Sequence, residues 1–204
     1  MITTEEARRY YEGADAIHDF DHVLRVLALA ERLAQAEGAD LEIVRTAALL
    51  HDMARNGSHQ GVDHAQAGAE MARRLLAGAP ADKVEAVAHA ISAHRFRAGP
   101  APQTIEAKVL HDADKLDAIG AIGVARAFAY GGHEGQRLWG EVGEGYQEGA
   151  ETRAEHTPVH EFHMKLTRIQ ERLLTESARR LAAGRHAYMV AFFERLEQEV
   201  RGQA

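Results

Sequence analysis

Apolar positions recur at helical spacing along most of the chain. Val23, Val26, Leu27, Ala30, Leu33 and Ala34 form an i, i+3, i+4, i+7 stripe. They predict a helix that starts at Asp19 or Asp21 and runs to about Glu37, with Gly38 as its stop. Ile43, Ala47, Leu50 and Ala54 mark the buried face of the next helix, capped by Asp40 and closed at Arg55-Asn56-Gly57. Val84, Val87, Ala88 and Ile91 do the same for a helix from about Ala81 to near His94. Val109, Ala113, Leu116 and Gly120 form the seam of a helix that Thr104 caps and that runs to about Tyr130. Thr3-Thr4-Glu5-Glu6 opens a short N-terminal helix, with Gly13 ending it. Asp63-x-x-Gln66 reads as a capping box for a helix of roughly 64–77, with Gly78 and Pro80 breaking the chain after it.

Between these helices the punctuation is clear. Arg95 to Gln103 carries Pro100 and Pro102 and reads as a loop. Gly131 to Pro158 holds seven glycines, many charges and Trp139, which predicts a long mobile loop, a candidate lid. Two more helices follow, roughly 159–182 and 185–201, broken at Gly184. No segment alternates as a strand does, and there is no internal repeat. The expectation is an all-α, single-domain helical bundle over residues 1–204. Its core spans about 16–130, the glycine-rich loop about 131–158, and the C-terminal helices about 159–201.

Composition narrows the class. At 204 residues and 46% apolar, the chain can build one full core. Sparse aromatic and β-branched residues favour helix. There is no cysteine, which removes disulfides, thiolate metal sites and thiol chemistry and suits a cytoplasmic location. The first residues lack the pattern of a signal peptide, and no apolar run approaches the roughly 20 residues of a membrane span. A net charge of −7 gives no global attraction for a nucleic-acid polymer. A small anionic substrate remains compatible if a metal or local arginines supply positive charge.

Thirteen histidines are many for this length. The stretch Ala47-Ala48-Leu49-Leu50-His51-Asp52 carries an adjacent histidine and aspartate toward the interior at the end of a core helix. Two such groups are costly to bury unless something compensates them, and a divalent metal does so. Neighbours in a helix point about 100° apart, yet both reach one ion when one leans back along the axis. His22, at the start of the helix before, and an aspartate from Asp112, Asp114 or Asp117 complete a candidate ligand set, with Asp114 modestly favoured by spacing. Imidazoles and carboxylates suit Mn²⁺, Fe²⁺, Co²⁺, Ni²⁺ or Mg²⁺.

The ordered set His22-Val23-Leu24-Arg25-Val26, Leu49-Leu50-His51-Asp52 and Asp112-Ala113-Asp114-Lys115-Leu116-Asp117 resembles the HD-domain superfamily of metal-dependent phosphohydrolases. Asp112 through Gly123 and the tail from Thr175 to His186 are similar to the stand-alone bacterial HD hydrolases, some of which are nucleotide pyrophosphohydrolases. The resemblance covers about residues 16–200. It implies metal binding by His22, His51, Asp52 and Asp114, and hydrolysis of a nucleotide or other small phosphoester by metal-activated water. Histidines of the middle region bind a second metal or substrate phosphate in some members, which makes His64 and His94 substrate-side candidates with Arg25 and Lys115. His89 and His94 lie about 140° apart on one helix, so they do not both face the metal. His111 and His133 are expected at the surface or in loops, and His59 is a weak candidate for the border of the site.

Several members carry an acid just after the doublet that helps activate water. Here Met53-Ala54-Arg55-Asn56 has none, so Asp117 stands beside Asp52 as the candidate catalytic carboxylate. Arg55 and Arg95 are near the ligands in sequence and are candidate phosphate contacts or plain surface cations. Arg185 and His186 are candidates for packing. Two alternatives stay open: a di-iron HD-fold oxygenase, and a non-catalytic regulatory protein that binds metal or nucleotide. The native metal, the substrate and whether a homodimer forms are not determined by the sequence.

Overall fold

The computed structural model describes residues 1–12, 20–55, 63–95, 99–143 and 155–204. Gly13, Asp19, the Asn56-Gly57 stop, His59 and the centre of the glycine-rich stretch lie outside them. Every regular element among the described residues is helical: α1 (Thr4–Arg8), α2 (Phe20–Glu37), α3 (Leu41–Leu50), α4 (His64–Leu75), α5 (Ala81–Ala93), α6 (Ile105–Leu116), α7 (Gly120–His133), α8 (Pro158–Met164) and α9 (Glu176–Val200), with short 3₁₀ turns at Arg9–Tyr11, Leu166–Arg168 and Gln170–Arg172. Contacts divide the chain into two compact units, Met1–Asp114 with Leu174–Ala178, and Lys115–Leu173 with Arg179–Ala204. The boundary falls within α6 and within α9.

In the first unit α3 is the central element. It packs between α2 and α5, and α4 packs on α5. From Ile43 to Leu50 only Arg45 is exposed. A helix apolar nearly all round belongs in an interior, and Ala47 and Ala48 keep it slim enough for two neighbours. Asp40 caps it, its carboxylate accepting from the Glu42 and Ile43 amides at 2.8 and 3.3 Å. The predicted stripe of α2 is buried except for Leu27, which lies at intermediate exposure. Gly68 of α4 permits a close approach, because a Cβ there would stand 3.3 Å from Ile91 Cγ2 and 3.6 Å from the His51 carbonyl oxygen. Tyr11 is buried, and its hydroxyl donates to the Leu49 carbonyl at 2.9 Å. That carbonyl is one of the last four of α3, which have no partner inside the helix.

Four boundaries differ from expectation. The helix predicted from Thr104 to Tyr130 is two helices, α6 and α7. Gly120 has φ +78°, a left-handed conformation that cannot continue a helix, and a Cβ there would meet the Arg185 side chain at 3.0 Å. Arg185 also donates to the Leu116 carbonyl, taking an acceptor that a continuing helix would have used. The segment after Pro158 is not one long helix: α8 stops at Met164, and the two later 3₁₀ turns lead to α9. Asp112 supplies the reason within the first unit. Its buried carboxylate accepts from the Leu174 amide at 3.0 Å and from both the Thr175 amide and hydroxyl at 2.7 Å. Those amides are therefore not spent on an i−4 helical ladder. Finally, α9 runs unbroken through Gly184. A helical glycine costs about 1 kcal/mol, and the buried Ala182, Met189 and Phe193 offset it.

The second unit has its own core. Phe162 stacks on Phe193 with centroids 4.2 Å apart, and Phe128 and Phe192 pack around Phe193. Thr157 opens α8, and its hydroxyl pairs with His160 Nδ1 at 2.8 Å. Helix α7 extends to His133, so the expected loop begins three residues later than predicted. No described helix is long and apolar enough to cross a membrane.

Candidate metal centre

Six side chains of the first unit converge. His22 comes from the first turn of α2, His51 caps the C-terminus of α3, and Asp52 follows in the turn. His64 is the first residue of α4, His94 caps the C-terminus of α5, and Asp114 lies in the last turn of α6. All but His64 and Asp114 are buried. Helix ends are suited to this work, since their backbone groups have no intrahelical partners and can orient side chains instead.

The backbone sets the tautomers. His51 Nδ1 lies 2.8 Å from the Ala48 carbonyl, and His94 Nδ1 lies 2.6 Å from the Ile91 carbonyl. A carbonyl only accepts, so Nδ1 donates in both rings and Nε2 presents its lone pair. Carbonyl-tied imidazoles of this kind are typical metal ligands. His51 Nε2 faces His22 Nε2 at 3.4 Å. Two facing lone pairs repel, so His22 either holds its proton on Nε2 or shares a cation with His51.

The carboxylates complete two groups. His22, His51 and Asp114 form one set of potential ligands, and Asp52, His64 and His94 form another, each with ligand atoms within 4.8 Å of one another. Asp114 Oδ1 is 3.5 Å from His22 Nε2. Asp52 stands between the sets: Oδ2 is 3.7 Å from His51 Nε2 and 3.9 Å from His22 Nε2, while Oδ1 is 3.6 Å from both His64 Nε2 and His94 Nε2. Two atoms about 2.1 Å from one ion are roughly 3 Å apart when cis and about 4.2 Å when trans in an octahedral shell. The spacings fit that range. Asp52 Oδ1 is buried and makes no hydrogen bond, and a buried carboxylate oxygen without a partner is costly. The residues present thus fit a divalent cation.

Electrostatics favour the ligand forms. Burial pushes the His51 imidazole down to about 4, more than the neighbouring Asp52 and Asp114 raise it. Burial alone would raise the Asp52 carboxyl, but His51, His94 and Arg55 together hold it well below the usual range. Burial also lowers His64, with Asp52 partly opposing. Neutral imidazoles around an ionised carboxylate are what metal binding requires.

The other predicted residues are placed as follows. Arg25 is half-buried in α2, three residues beyond His22. Lys115 and Asp117 belong to the second unit. Asp117 follows the end of α6, so it does not share a helical face with Asp114, and its Oδ2 takes Arg126 Nη1 at 2.9 Å. His89 is outside the cluster, its Nε2 accepting from the Gln103 amide at 3.0 Å. Arg55 Nη1 is 3.4 Å from Asp52 Oδ2. Arg95 is not a plain surface cation, since it pairs with Asp63. His111 is buried rather than exposed, because its Nδ1 lies 3.0 Å from Asp112 Oδ1, while His133 is exposed as expected. Asp112, weighed in the sequence as a rival to Asp114, is instead filled by donors of the chain itself.

Comparison with known proteins agrees with this geometry. The HD domain model matches residues 19–119. YpgQ of Bacillus subtilis is 36% identical over 189 residues, covering 91% of this chain and 85% of that protein. The crystal structure of Bacillus subtilis YpgQ in complex with ADP superimposes with a TM-score of 0.77 at 31% identity, covering 99% of this chain and all of the other. An HD-superfamily hydrolase from Bacillus thuringiensis gives a TM-score of 0.75 at 31% identity over 98% of this chain and 95% of its own. With the motif, the fold and the converging ligands in agreement, the chain belongs to the HD-domain superfamily.

Proposed function

We propose that this protein is a metal-dependent phosphohydrolase acting on a nucleotide or another small phosphoester. The observation that carries the reading is Asp52, a buried carboxylate set between two groups of histidines with one oxygen lacking a hydrogen bond. The hydrolase among its structural relatives and the ADP complex of YpgQ support the reaction class and the nucleotide. Absence of cysteine is in keeping with a cytoplasmic setting.

His22, His51, Asp52 and Asp114 are the proposed ligands. They would hold a divalent ion, which would supply Lewis acidity toward a phosphoryl oxygen and lower the pKa of water. The chain does the rest. Ala48 and Ile91 fix the imidazoles of His51 and His94 through their carbonyls, so no reorientation is needed when substrate arrives. His64 and His94 set Nε2 beside Asp52, where each is placed to take a proton and, carrying it, to donate to a phosphate oxygen. Arg55, at 3.4 Å from Asp52, offers a cation for a non-reacting phosphate. Arg25 and Lys115 are proposed in the same capacity. Asp117 is the second proposed catalytic carboxylate, and a proton reaching it competes with the Arg126 ion pair. The di-iron oxygenase reading stands second although Asp52, His64 and His94 form a second group, because a hydrolase is among the structural relatives.

The test is a hydrolysis screen over nucleotides and phosphoesters with Mn²⁺, Co²⁺ or Ni²⁺, reading release of phosphate or pyrophosphate. Turnover that depends on added metal is expected. Full activity after chelation overturns the reading, and so does silence across the panel with metal bound.

A further inference from the structure

His64 and His94 come from different helices, and neither helix by itself fixes their separation. Each has a charged neighbour. Asp63, just before His64, is the N-cap of α4; its Oδ1 accepts from the Ala65 amide at 2.8 Å. Arg95, just after His94, reaches back so that its Nη1 donates to Asp63 Oδ2 at 2.5 Å. One carboxylate therefore does two things at once: it starts α4 and ties that start to the end of α5. The pair is only partly exposed, at 33% for Arg95 and 25% for Asp63. It lies one residue behind both imidazoles, whose ring centroids are 5.8 Å apart. Both Nε2 atoms sit 3.6 Å from the same Asp52 oxygen. Equal approach from two helices requires the helix ends to be held in register; α4 packs on α5 along their length, and this ion pair ties their ends beside the imidazoles.

We propose that Asp63 and Arg95 form a positioning clamp that sets the spacing of His64 and His94 across Asp52 Oδ1. The clamp rests on the reading that His64 and His94 grip what the site receives. Arg95 acts on the ligand through His94, and Asp63 through His64. A shift of about 1 Å in such a group is enough to cost one to two orders of magnitude. Asparagine caps helices about as well as aspartate, so Asp63→Asn removes the charge pair and keeps the cap.

The experiment uses the full chain loaded with Mg²⁺. Ring resonances of the histidines are followed by NMR, ADP affinity by calorimetry, and the unfolding midpoint by melting, for Asp63→Asn, Arg95→Gln, their double variant and Arg95→Lys. The expected result is that each single variant moves the His64 and His94 resonances and leaves His22 and His51 in place. Each weakens ADP roughly tenfold, and the double variant is no worse than either single, because both act through one contact. Arg95→Lys retains most of the affinity. Unmoved His64 and His94 resonances overturn the clamp, even if ADP binds more weakly, since Arg95 then touches the nucleotide directly. Losses that multiply in the double variant also overturn it, as does a lower melting midpoint with resonances and affinity unchanged. If wild-type protein does not bind ADP while the resonances still respond, the nucleotide reading fails and the clamp stands.

Discussion

The two halves of the candidate metal centre are built by different means. His22 and His51 are both buried, placed by α2 and α3, and held by packing that involves most of the first unit's core. His64 and His94 are placed by the packing of α4 on α5, with His64 partly open to solvent, and a partly exposed ion pair joins the two helix ends beside them. The first half is rigid by default, because moving it means opening a close-packed interior. The second half adds to its packing a charge pair that solvent can reach. A site that holds a cation firmly and a varied ligand adaptably has use for that division.

The sharpest way to break the comparison is to remove one histidine from each half. His22→Ala is expected to abolish stoichiometric metal content and lower turnover roughly 10⁴-fold. His94→Ala should leave metal in the first half and lower kcat/KM by about 10²-fold. Metal content by elemental analysis, beside kinetics, decides between them; equal metal loss in both variants erases the distinction. A smaller effect tests whether packing alone holds Asp114. Asp112 anchors α6 two residues earlier, and Asp112→Ala leaves the Leu174 and Thr175 donors without an acceptor. A loss of about 3 kcal/mol in unfolding free energy is expected, read from urea denaturation. A loss below the scatter of replicate curves would show that the anchor is dispensable.

The smallest and most diagnostic effect is acid sensitivity of chelator-treated protein. The folded His51 resists protonation down to about 4, against an ordinary 6.5. The unfolded chain therefore binds a proton that the folded chain refuses, and stability falls as pH drops from about 6.5 toward 4. His64 acts in the same direction. Asp52 has the opposite character: its depressed folded value stabilises the fold above the ordinary carboxylate range and is lost only as pH falls through that lower value. Melting midpoints between pH 7 and pH 4 measure the slope, and a flat profile refutes the burial argument for His51.

Much of this was legible along the chain. The stripes of α2, α3 and α5, the Asp40 cap and the Ala47-to-Asp52 stretch are local patterns, and local patterns survive into the fold when tertiary packing agrees with them. Asp63 was visible as a cap. Its second role was not, because nothing local says that Arg95, thirty-two residues on, returns to it. The resemblance pointed to Asp114 as the candidate ligand, but only the position of Leu174 and Thr175 shows that Asp112 serves the scaffold. The break at Gly120 was hidden because its seam continues helical spacing; Arg185, from α9, is what occupies the space and the carbonyl there.

By itself, then, the order of residues determined an all-helical chain, the family, and the ligand types available to a divalent ion. These follow from periodicity and from side-chain chemistry, which need no partner. Tertiary structure alone decided that Asp112 serves the scaffold, where long helices divide, and that Asp52 places its two oxygens between two sets of histidines. Those outcomes depend on which donors and acceptors are left unpaired when distant segments meet, and that count exists only once the chain has folded.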